Sequence, residues 1–160
     1  MALYEPSYVC TGDEVAVIKT AKGTIKFRFF CEDAPRHSAA FVELAEKGFY
    51  DGTTFHRVEP NFVIQGGDPF SRTGEGPPGM GGPGYNLAAE FNARPHLDGT
   101  VAMARAQSPD SAGSQFYICL GTQSFLDNNY TVFGEVTEGL DVVHAIERGD
   151  VMESVTIERP

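Results

Sequence analysis

Most apolar runs of the chain alternate hydrophobic and polar positions with a period of two, which predicts β-strands. Residues 24–30 are the clearest case, because Ile25, Phe27 and Phe29 fall on one face of an extended chain. A short glycine-containing turn joins this run to residues 14–20, which is the spacing of a β-hairpin. Six further runs have the character of strands: 55–58, 62–68, 100–104, 115–120, 131–136 and 151–157.

Helical periodicity is confined to two segments. The first begins near Pro35, which suits the first turn of a helix, and ends near Gly48. The second covers residues 140–148 and ends at Gly149. Their apolar positions recur at helical spacing: Phe41, Leu44 and Ala45 in the first, and Val142, Val143 and Ile146 in the second.

About eight strands and two helices in this order lack the regular strand–helix alternation of a parallel sheet. We therefore predict a mainly β fold, a closed eight-stranded antiparallel barrel capped by two α-helices. A chain of 160 residues is long enough to bury one sizeable core. We expect residues 1–12 to be a loose N-terminal leader and residues 13–160 to be a single domain.

Glycine and proline dominate residues 69–86, which argues against regular structure and predicts one long loop. Part of it, residues 74–79, matches the pattern GxGxxG. Pro77 and Pro78 exclude the helix that a dinucleotide-binding fingerprint requires, so no cofactor is expected there.

The run 55–58 contains an arginine among apolar residues. Strict alternation would place Phe55 and Arg57 on one face and His56 and Val58 on the other. An arginine in an apolar strand is costly unless its donors are used. The alternative at this point is an exposed edge strand with Arg57 in water.

The net charge of the chain limits the classes of partner that we expect it to bind. A formal net charge of −10 argues against nucleic acid and against an anionic membrane, and solubility alone is a sufficient reason for it. The N-terminus lacks the basic and apolar regions of a secretion signal, and no apolar run approaches the ~20 residues of a membrane span. We expect a cytoplasmic protein, and a monomer by default.

Cysteine and histidine are too scattered to suggest a metal site. Cys10, Cys31 and Cys119 are odd in number and form no CxxC pair, which argues against a disulfide framework and against zinc. Cys119 lies in an apolar run and is interpreted as a core residue. The four histidines have neither HxH nor HExxH spacing. No metal or cofactor is predicted.

Several short motifs together carry more information than any of these patterns. They are Phe55-His56-Arg57, residues 62–68 (FVIQGGD), residues 103–106 (MARA), residues 114–117 (SQFY), residues 125–127 (FLD) and residues 132–134 (VFG). In this order and spacing the chain resembles the cyclophilin family of peptidyl-prolyl cis-trans isomerases over roughly residues 14–158. The resemblance implies an eight-stranded antiparallel barrel closed by two helices. Phe125, Tyr130 and residues 108–112 look more like bacterial members.

The resemblance also implies roles for individual residues. Arg57 is the implied catalytic residue, and Gln65 and Gln115 line the groove beside it. The other implied substrate-binding residues are Phe62, Val63, Tyr117 and Leu126 in a pocket for the proline ring, Ala104, Arg105 and Ala106, which offer backbone to the peptide, and Tyr130. The alternative for the aromatic and aliphatic members is plain barrel core, the class to which we assign Met103 and Phe116.

Three departures from the family's pattern bear on ligands. Val63 stands where many members have methionine, and Tyr117 replaces a phenylalanine and would bring a hydroxyl to the pocket rim. Phe125 stands where many members have a tryptophan whose N–H helps to hold cyclosporin, so weakened cyclosporin binding is expected. The loop at 70–80 is longer than expected, which fits either a tolerated surface insertion or a lid over the groove.

The expected activity follows from amide chemistry. Rotation about an Xaa–Pro bond must break amide resonance, a barrier of ~18–20 kcal/mol, and a guanidinium beside an apolar pocket can stabilise the twisted state without a nucleophile, metal or cofactor. The expected partners are proline-containing peptides and unfolded or partly folded proteins. The alternatives are a proline-peptide binding module with little catalysis and a barrel without groove activity.

Overall fold

Eight antiparallel strands form the body of the protein in a computed structural model, which describes residues 3–160. They are β1 (Val15–Thr20), β2 (Gly23–Phe29), β3 (Arg57–Glu59), β4 (Val63–Gly66), β5 (Thr100–Met103), β6 (Phe116–Cys119), β7 (Val132–Glu138) and β8 (Ser154–Glu158). Each of the eight apolar runs overlaps one strand. The alternation in β2 is confirmed, since Ile25, Phe27 and Phe29 are buried while Arg28 is exposed.

Three α-helices accompany the strands: α1 (Pro35–Glu46), α2 (Phe70–Thr73) and α3 (Leu140–Ala145). The first begins at Pro35, as its sequence predicts. The third is shorter than the predicted 140–148, because Ile146 adopts an extended conformation and is buried. None of the helices within residues 3–160 is long and apolar enough to cross a membrane.

The helix α2 corrects the expectation that residues 69–86 have no regular structure. Its turn is nucleated by Asp68, whose carboxylate accepts the N–H of Phe70 at 2.8 Å and whose carbonyl accepts the hydroxyl of Ser71. The helix ends at Gly74, which has a left-handed conformation with φ 72°. The glycine-rich part of the segment starts only there, so one helical turn fits before it.

The sheet is curled but open, and the predicted closed barrel is not found. Its strand order is β3-β4-β6-β5-β7-β2-β1-β8, which leaves β3 and β8 as unpaired edges among the described residues. Irregular backbone spans the gap: Thr54 and Val151 form an isolated bridge, and Phe55 N–H donates to Asp150 at 2.9 Å. An apolar pattern in the sequence predicts where the strands lie. It does not show whether the two edge strands hydrogen-bond to each other and so close the barrel.

Alternate residues of β4 and β6 serve two separate hydrophobic clusters. Ile64 and Ile118 belong to the main core, whereas Val63 and Cys119 belong to a smaller cluster on the opposite face. Met103 and Phe116 lie in the main core, and Cys119 is fully buried, as predicted. The smaller cluster, which also contains Phe30 and Tyr117, lies below the candidate site.

The segment from residue 3 to 12, for which we expected a loose leader, forms hydrogen bonds with Glu43 of α1 and with Glu14; residues 1 and 2 lie outside the described residues. The Glu43 carboxylate accepts the Tyr4 hydroxyl at 2.7 Å and the Tyr8 N–H at 3.1 Å. Glu14 accepts the N–H groups of Thr11 and Gly12 at 2.9 Å each. Burial opposes ionisation of the Glu14 carboxylate, but hydrogen bonds from the Tyr8 hydroxyl and from Thr11 outweigh it, and the pKa of Glu14 is lowered to about 2.

A disulfide between Cys10 and Cys31 adds a covalent link, so the inference from cysteine number and spacing that argued against a disulfide framework is wrong for this pair. Their Cα atoms lie 5.6 Å apart although 21 positions separate them in sequence. Spacing along the chain could not reveal this pair, because the fold of the N-terminal segment brings the two residues together. Cys119 remains as the free cysteine.

Reducing this disulfide is expected to destabilise the protein. A cross-link that closes a loop of this size restricts the unfolded chain, and in the chain-entropy model it adds about 3 kcal/mol to the free energy of unfolding. The loss on reduction is smaller if the reduced segment detaches locally while the rest stays folded. The measurement is chemical denaturation of the wild type with and without a dithiol reductant. The double variant Cys10→Ser/Cys31→Ser is the control, because the reductant should leave its unfolding midpoint unchanged. Equal midpoints for wild type and double variant would contradict this expectation.

Candidate active site

A groove with two adjoining cavities brings the predicted site residues together. The smaller cavity, of about 140 Å³, is lined by nine of the eleven: Arg57, Phe62, Val63, Gln65, Ala104, Arg105, Tyr117, Leu126 and Tyr130. The other two, Ala106 and Gln115, line the larger cavity of about 510 Å³ together with residues 79–86 of the glycine-rich loop. Gln65, Ala104 and Arg105 form the boundary, since they line both cavities.

Strand register explains how three of these residues come side by side. Arg57 pairs with Gln65 between β3 and β4, and Gln65 pairs with Tyr117 between β4 and β6. Directly opposed residues of antiparallel strands project from the same face, so the three side chains form a row across the sheet. The row crosses from the exposed edge strand to the buried centre, which places a charge beside an apolar floor.

Arg57 lies at the exposed end of this row. Its side chain is 48% exposed, its guanidinium lies 5.6 Å from the centre of the Phe62 ring, and Glu59 is 3.7 Å away. It does not share a face with Phe55, which is fully buried in the main core. That prediction fails because β3 begins only at Arg57, and the backbone of Phe55 bonds to residues 149 and 150 instead of continuing the strand.

A tight turn presents Phe62 to the groove. Asn61 occupies the left-handed region with φ 62°, and the N–H of Phe62 donates to the carbonyl of Glu59 at 3.0 Å. The Phe62 ring then stacks on Phe125 at 5.6 Å between centres. Phe125 is 67% exposed, so these two rings form an aromatic rim beside Arg57.

The floor and walls of the smaller cavity are apolar. Val63, Tyr117 and Leu126 are buried, and the ring of Tyr130 meets that of Tyr117 edge to face at 5.8 Å. The Tyr117 hydroxyl points away from the rim, contrary to expectation, and bonds to Nε2 of His96 at 2.8 Å. Burial raises the pKa of this phenol well above its usual value, so it stays protonated.

His96 and Asp127 are the residues that sequence reasoning missed. His96 is completely buried, and its Nδ1 lies 3.0 Å from the carboxylate of Asp127, whose Oδ1 also accepts the backbone N–H of His96. Burial lowers the pKa of His96, although Asp127 opposes the shift. The signal that could have found them is Tyr117 itself, because a buried phenol needs a hydrogen-bond partner.

Gln115 links the groove to the loop. Its amide nitrogen donates to the carbonyls of Gly79 at 3.0 Å and Gly81 at 2.9 Å, and its oxygen accepts from Gln65 at 3.2 Å. The backbone of the loop is fixed from below by Asp68, whose carboxylate accepts the N–H of Gly79. A ligand that used the Gln115 amide would therefore compete with the loop for it.

Residues 104–106 use much of their polar backbone internally. The N–H of Ala104 donates to the carbonyl of Gln115, and that of Ala106 donates to Ser111 Oγ. The guanidinium of Arg105 donates to the carbonyls of Asn129, Ala106 and Gln107 at 2.7 to 3.1 Å, and it lies 4.7 Å from the Tyr130 ring centre. Arg105 thus ties two walls of the groove together through its side chain.

The groove contains no cluster of metal ligands among residues 3–160. The one group of three such side chains in that range is Cys10, Glu14 and Cys31 in the N-terminal segment. There the two sulfurs are bonded to each other and the Glu14 oxygens accept hydrogen bonds from Thr11 and Gly12. These residues are thus occupied in holding the segment.

Comparison with known proteins gives a consistent result for nearly the whole chain. Residues 15–160 match the family model described as "Cyclophilin type peptidyl-prolyl cis-trans isomerase/CLD". A peptidyl-prolyl cis-trans isomerase of Synechococcus elongatus is 47% identical over 144 residues, covering 89% of this chain and 94% of the relative. Peptidyl-prolyl cis-trans isomerase B of Bacillus subtilis is 45% identical over 136 residues, covering 84% and 90%.

Solved structures agree with the sequence relatives. A cyclophilin type peptidyl-prolyl cis-trans isomerase of Cryptosporidium parvum is similar with a TM-score of 0.81 and 26% identity, covering 96% of this chain and 99% of that one. A structure of the same protein described as in the presence of the dipeptide Ala-Pro has a TM-score of 0.76 and 27% identity, covering 91% and 98%. The groove, the family model and these relatives together show that the chain belongs to the cyclophilin-type peptidyl-prolyl cis-trans isomerases and is an isomerase.

Proposed function

We propose that the groove binds Xaa-Pro segments with the proline ring in the smaller cavity and that Arg57 stabilises the twisted amide. The observation that supports this most is the row of Arg57, Gln65 and Tyr117, which sets a guanidinium against an apolar floor. A cavity of about 140 Å³ suits one small ring. The structure named for Ala-Pro, at 27% identity, supports the same class of ligand.

The reaction needs no bond to be made or broken. As the amide twists, the proline nitrogen regains a localised lone pair, and the carbonyl group loses its resonance with that nitrogen. The guanidinium of Arg57 can donate a hydrogen bond to the nitrogen or to the displaced carbonyl oxygen, and it holds only a loose contact with Glu59 at 3.7 Å. A donor that binds the twisted state better than the planar state lowers the barrier.

The apolar walls have a second effect. Val63, Leu126 and the ring of Tyr117 keep water from the proline ring, and water favours the more polar planar amide. Each ~1.4 kcal/mol of preferential binding to the twisted state gives about a tenfold rate increase. Charged donors in a partly dry site supply several such steps in other enzymes, so one arginine and one pocket are sufficient in principle.

The larger cavity and its loop fit a role in accepting residues that flank the proline. Gln115 holds Gly79 and Gly81 by hydrogen bonds, so a flanking peptide backbone that bonds to Gln115 must displace the loop. This coupling favours a lid over a plain surface insertion for residues 70–80. Ala104, Arg105 and Ala106 form the strip between the two cavities on which the peptide backbone would lie.

The deciding experiment is NMR exchange spectroscopy on an Ala-Pro peptide with catalytic amounts of the protein. We expect cis and trans signals to exchange much faster than in the free peptide. Binding shifts without faster exchange would favour the alternative, a proline-peptide binding module. If the protein neither binds the peptide nor speeds its exchange, the remaining alternative is a barrel without groove activity.

Cyclosporin binding is expected to be weaker than in family members with tryptophan at the position of Phe125. The Phe125 ring stacks on Phe62 and provides contact area, but it has no N–H to donate. Phe125→Trp should tighten cyclosporin binding about tenfold, the size of one added hydrogen bond, as measured by calorimetric titration. Phe91→Trp is the control, because Phe91 is also exposed but is not part of the aromatic rim that Phe62 and Phe125 form beside Arg57. Wild-type affinity equal to that of tryptophan-bearing members would refute the expectation.

We further propose a monomer that assists protein folding in the cytoplasm, acting on exposed proline segments of unfolded or partly folded proteins. Disulfides persist mainly in oxidising compartments, so Cys10 and Cys31 make the location testable. In the cytoplasm this pair would be bonded only after the protein meets an oxidant, so thiol labelling of rapidly quenched cells should find both cysteines reduced. A quantitatively oxidised pair would argue for an oxidising compartment.

A further inference from the structure

We propose that His96 is a positioning residue of the proline pocket, which holds the ring of Tyr117 in the floor by accepting a hydrogen bond from its hydroxyl group. This inference rests on the proposed function for the assignment of the smaller cavity to proline. It concerns a residue that does not line either cavity and would not touch the substrate.

The hydrogen-bond geometry defines the tautomer of His96. A carboxylate only accepts hydrogen bonds, so Nδ1, at 3.0 Å from Asp127, must carry a proton. In the neutral ring Nε2 then has a free lone pair and accepts from the Tyr117 hydroxyl at 2.8 Å. Asp127 thus determines the direction of both hydrogen bonds. It accepts the proton donated by Nδ1, which leaves Nε2 as the acceptor for the phenol hydroxyl of Tyr117.

His96 connects two walls of the pocket. Its ring stacks on that of Tyr117 at 5.9 Å, and its backbone bonds to both ends of the turn that carries Leu126. At one end its N–H donates to Asp127, and at the other its carbonyl accepts the N–H of Gln123 at 2.8 Å. The side chain adds its own link between the two, because Nε2 bonds to Tyr117 in the floor and Nδ1 to Asp127 beside the wall.

The hydroxyl makes Tyr117 dependent on this partner. A buried hydroxyl without an acceptor is costly, so a Tyr117 that lost Nε2 would move towards water, and the nearest opening is the pocket itself. Such a shift would narrow the space for the proline ring. A phenylalanine at this position has no hydroxyl to satisfy and would stay in the floor.

The same logic makes the pocket sensitive to acid. A protonated His96 would present an N–H at Nε2 in place of the lone pair, and the phenol proton would lose its acceptor. Burial lowers the pKa of His96, so the ring is neutral at pH 7 and gains its proton only in more acidic solution. The titratable and charged groups around it are Tyr117 and Cys119 from β6, Asp127 from the turn, and Tyr130 with Arg105 beyond its ring.

A double-mutant cycle tests the proposal, with the dissociation constant of an Ala-Pro peptide measured by NMR titration. His96→Leu should weaken binding about tenfold, the expected size for one buried unpaired hydroxyl, while bound-state exchange changes less than twofold. Tyr117→Phe is the reference for the second half of the cycle, and His96→Leu/Tyr117→Phe should bind as tightly as that reference, because the loss caused by His96→Leu disappears once the hydroxyl is absent. If His96 merely supported the fold, removing the Tyr117 hydroxyl would not restore the peptide affinity that His96→Leu loses.

His144→Leu is the matched control, because His144 also pairs with an aspartate, Asp98 at 2.8 Å, but is exposed and lies outside both cavities. Wild-type affinity in His96→Leu, or a double variant as weak as His96→Leu alone, would overturn the proposal. Loss of affinity in His144→Leu would do the same.

The pH dependence gives a test that does not require His96→Leu to fold. Peptide affinity of the wild type should fall as the imidazole signals of His96 titrate, and that of Tyr117→Phe should not. An equal fall in both proteins, or ring nitrogen shifts that place the neutral proton on Nε2, would overturn the proposal. If the wild type neither binds nor isomerises the peptide, the proposed function fails, whereas the tautomer and the acid-induced shift of the Tyr117 ring signals still decide this inference.

Discussion

Arg57→Ala is expected to lower the catalysed exchange rate of an Ala-Pro peptide by about two to three orders of magnitude, the usual effect of losing one charged transition-state donor. Peptide binding should weaken much less, because the apolar walls that hold the ring remain. Arg57→Lys should recover only part of the activity, since an ammonium cannot present the planar fork of donors. NMR exchange and titration with the same peptide measure both quantities.

Arg28→Ala is a matched control for this experiment. Arg28 is also about half exposed, lies 5.1 Å from the centre of a phenylalanine ring and contacts a carboxylate, Glu135, at 2.7 Å. It lines neither cavity, so its removal should leave exchange unchanged. If Arg57→Ala retained wild-type exchange, Arg57 would lose its proposed role, although the family membership would stand.

Phe41→Ala is expected to reduce the free energy of unfolding by about 3–5 kcal/mol, enough to unfold a marginally stable domain. Phe41 projects from α1 into the main core, is fully buried and contacts rings at centre distances of 4.7 to 5.8 Å. These rings belong to Phe27, Phe29, Tyr50, Phe116 and Phe133. The alanine variant leaves a cavity that residues from three strands and from the loop after α1 cannot all close.

Chemical denaturation with a linear extrapolation measures this loss. Phe125→Ala is the comparison, because Phe125 is 67% exposed and stacks on a single ring, so its removal should cost below about 1 kcal/mol. A loss in Phe41→Ala no larger than that in Phe125→Ala would mean that α1 is not part of the cooperative core.

The strands were predictable because each has one face in a core. The alternation in β2 identifies both a strand and its buried face, because Ile25, Phe27 and Phe29 all face inward. The same rule failed for Phe55, since alternation holds only inside a strand and β3 starts two residues later. The open edges, the turn of α2 after Asp68 and the Cys10–Cys31 pair depend on contacts that a period along the chain does not encode.

The motifs predicted residues that line the two cavities, but they did not predict the hydrogen bonds that connect these residues to the rest of the fold. The residues named from the resemblance line the two cavities because strand register sets Arg57, Gln65 and Tyr117 in a row. The sequence could not show that Gln115 is occupied by the carbonyls of Gly79 and Gly81. Nor could it show that the Tyr117 hydroxyl turns inward to His96, whose position is set by a distant loop.

The docked N-terminal segment has a consequence for anything attached to it. Leu3 forms a bridge with Asn86, and Tyr4 stacks on Tyr85 at 4.2 Å, while both Tyr85 and Asn86 line the larger cavity. A polypeptide fused before Leu3 would therefore emerge at the margin of the groove. A proline-containing linker there would reach the proposed site at millimolar effective concentration and act as a tethered competitor.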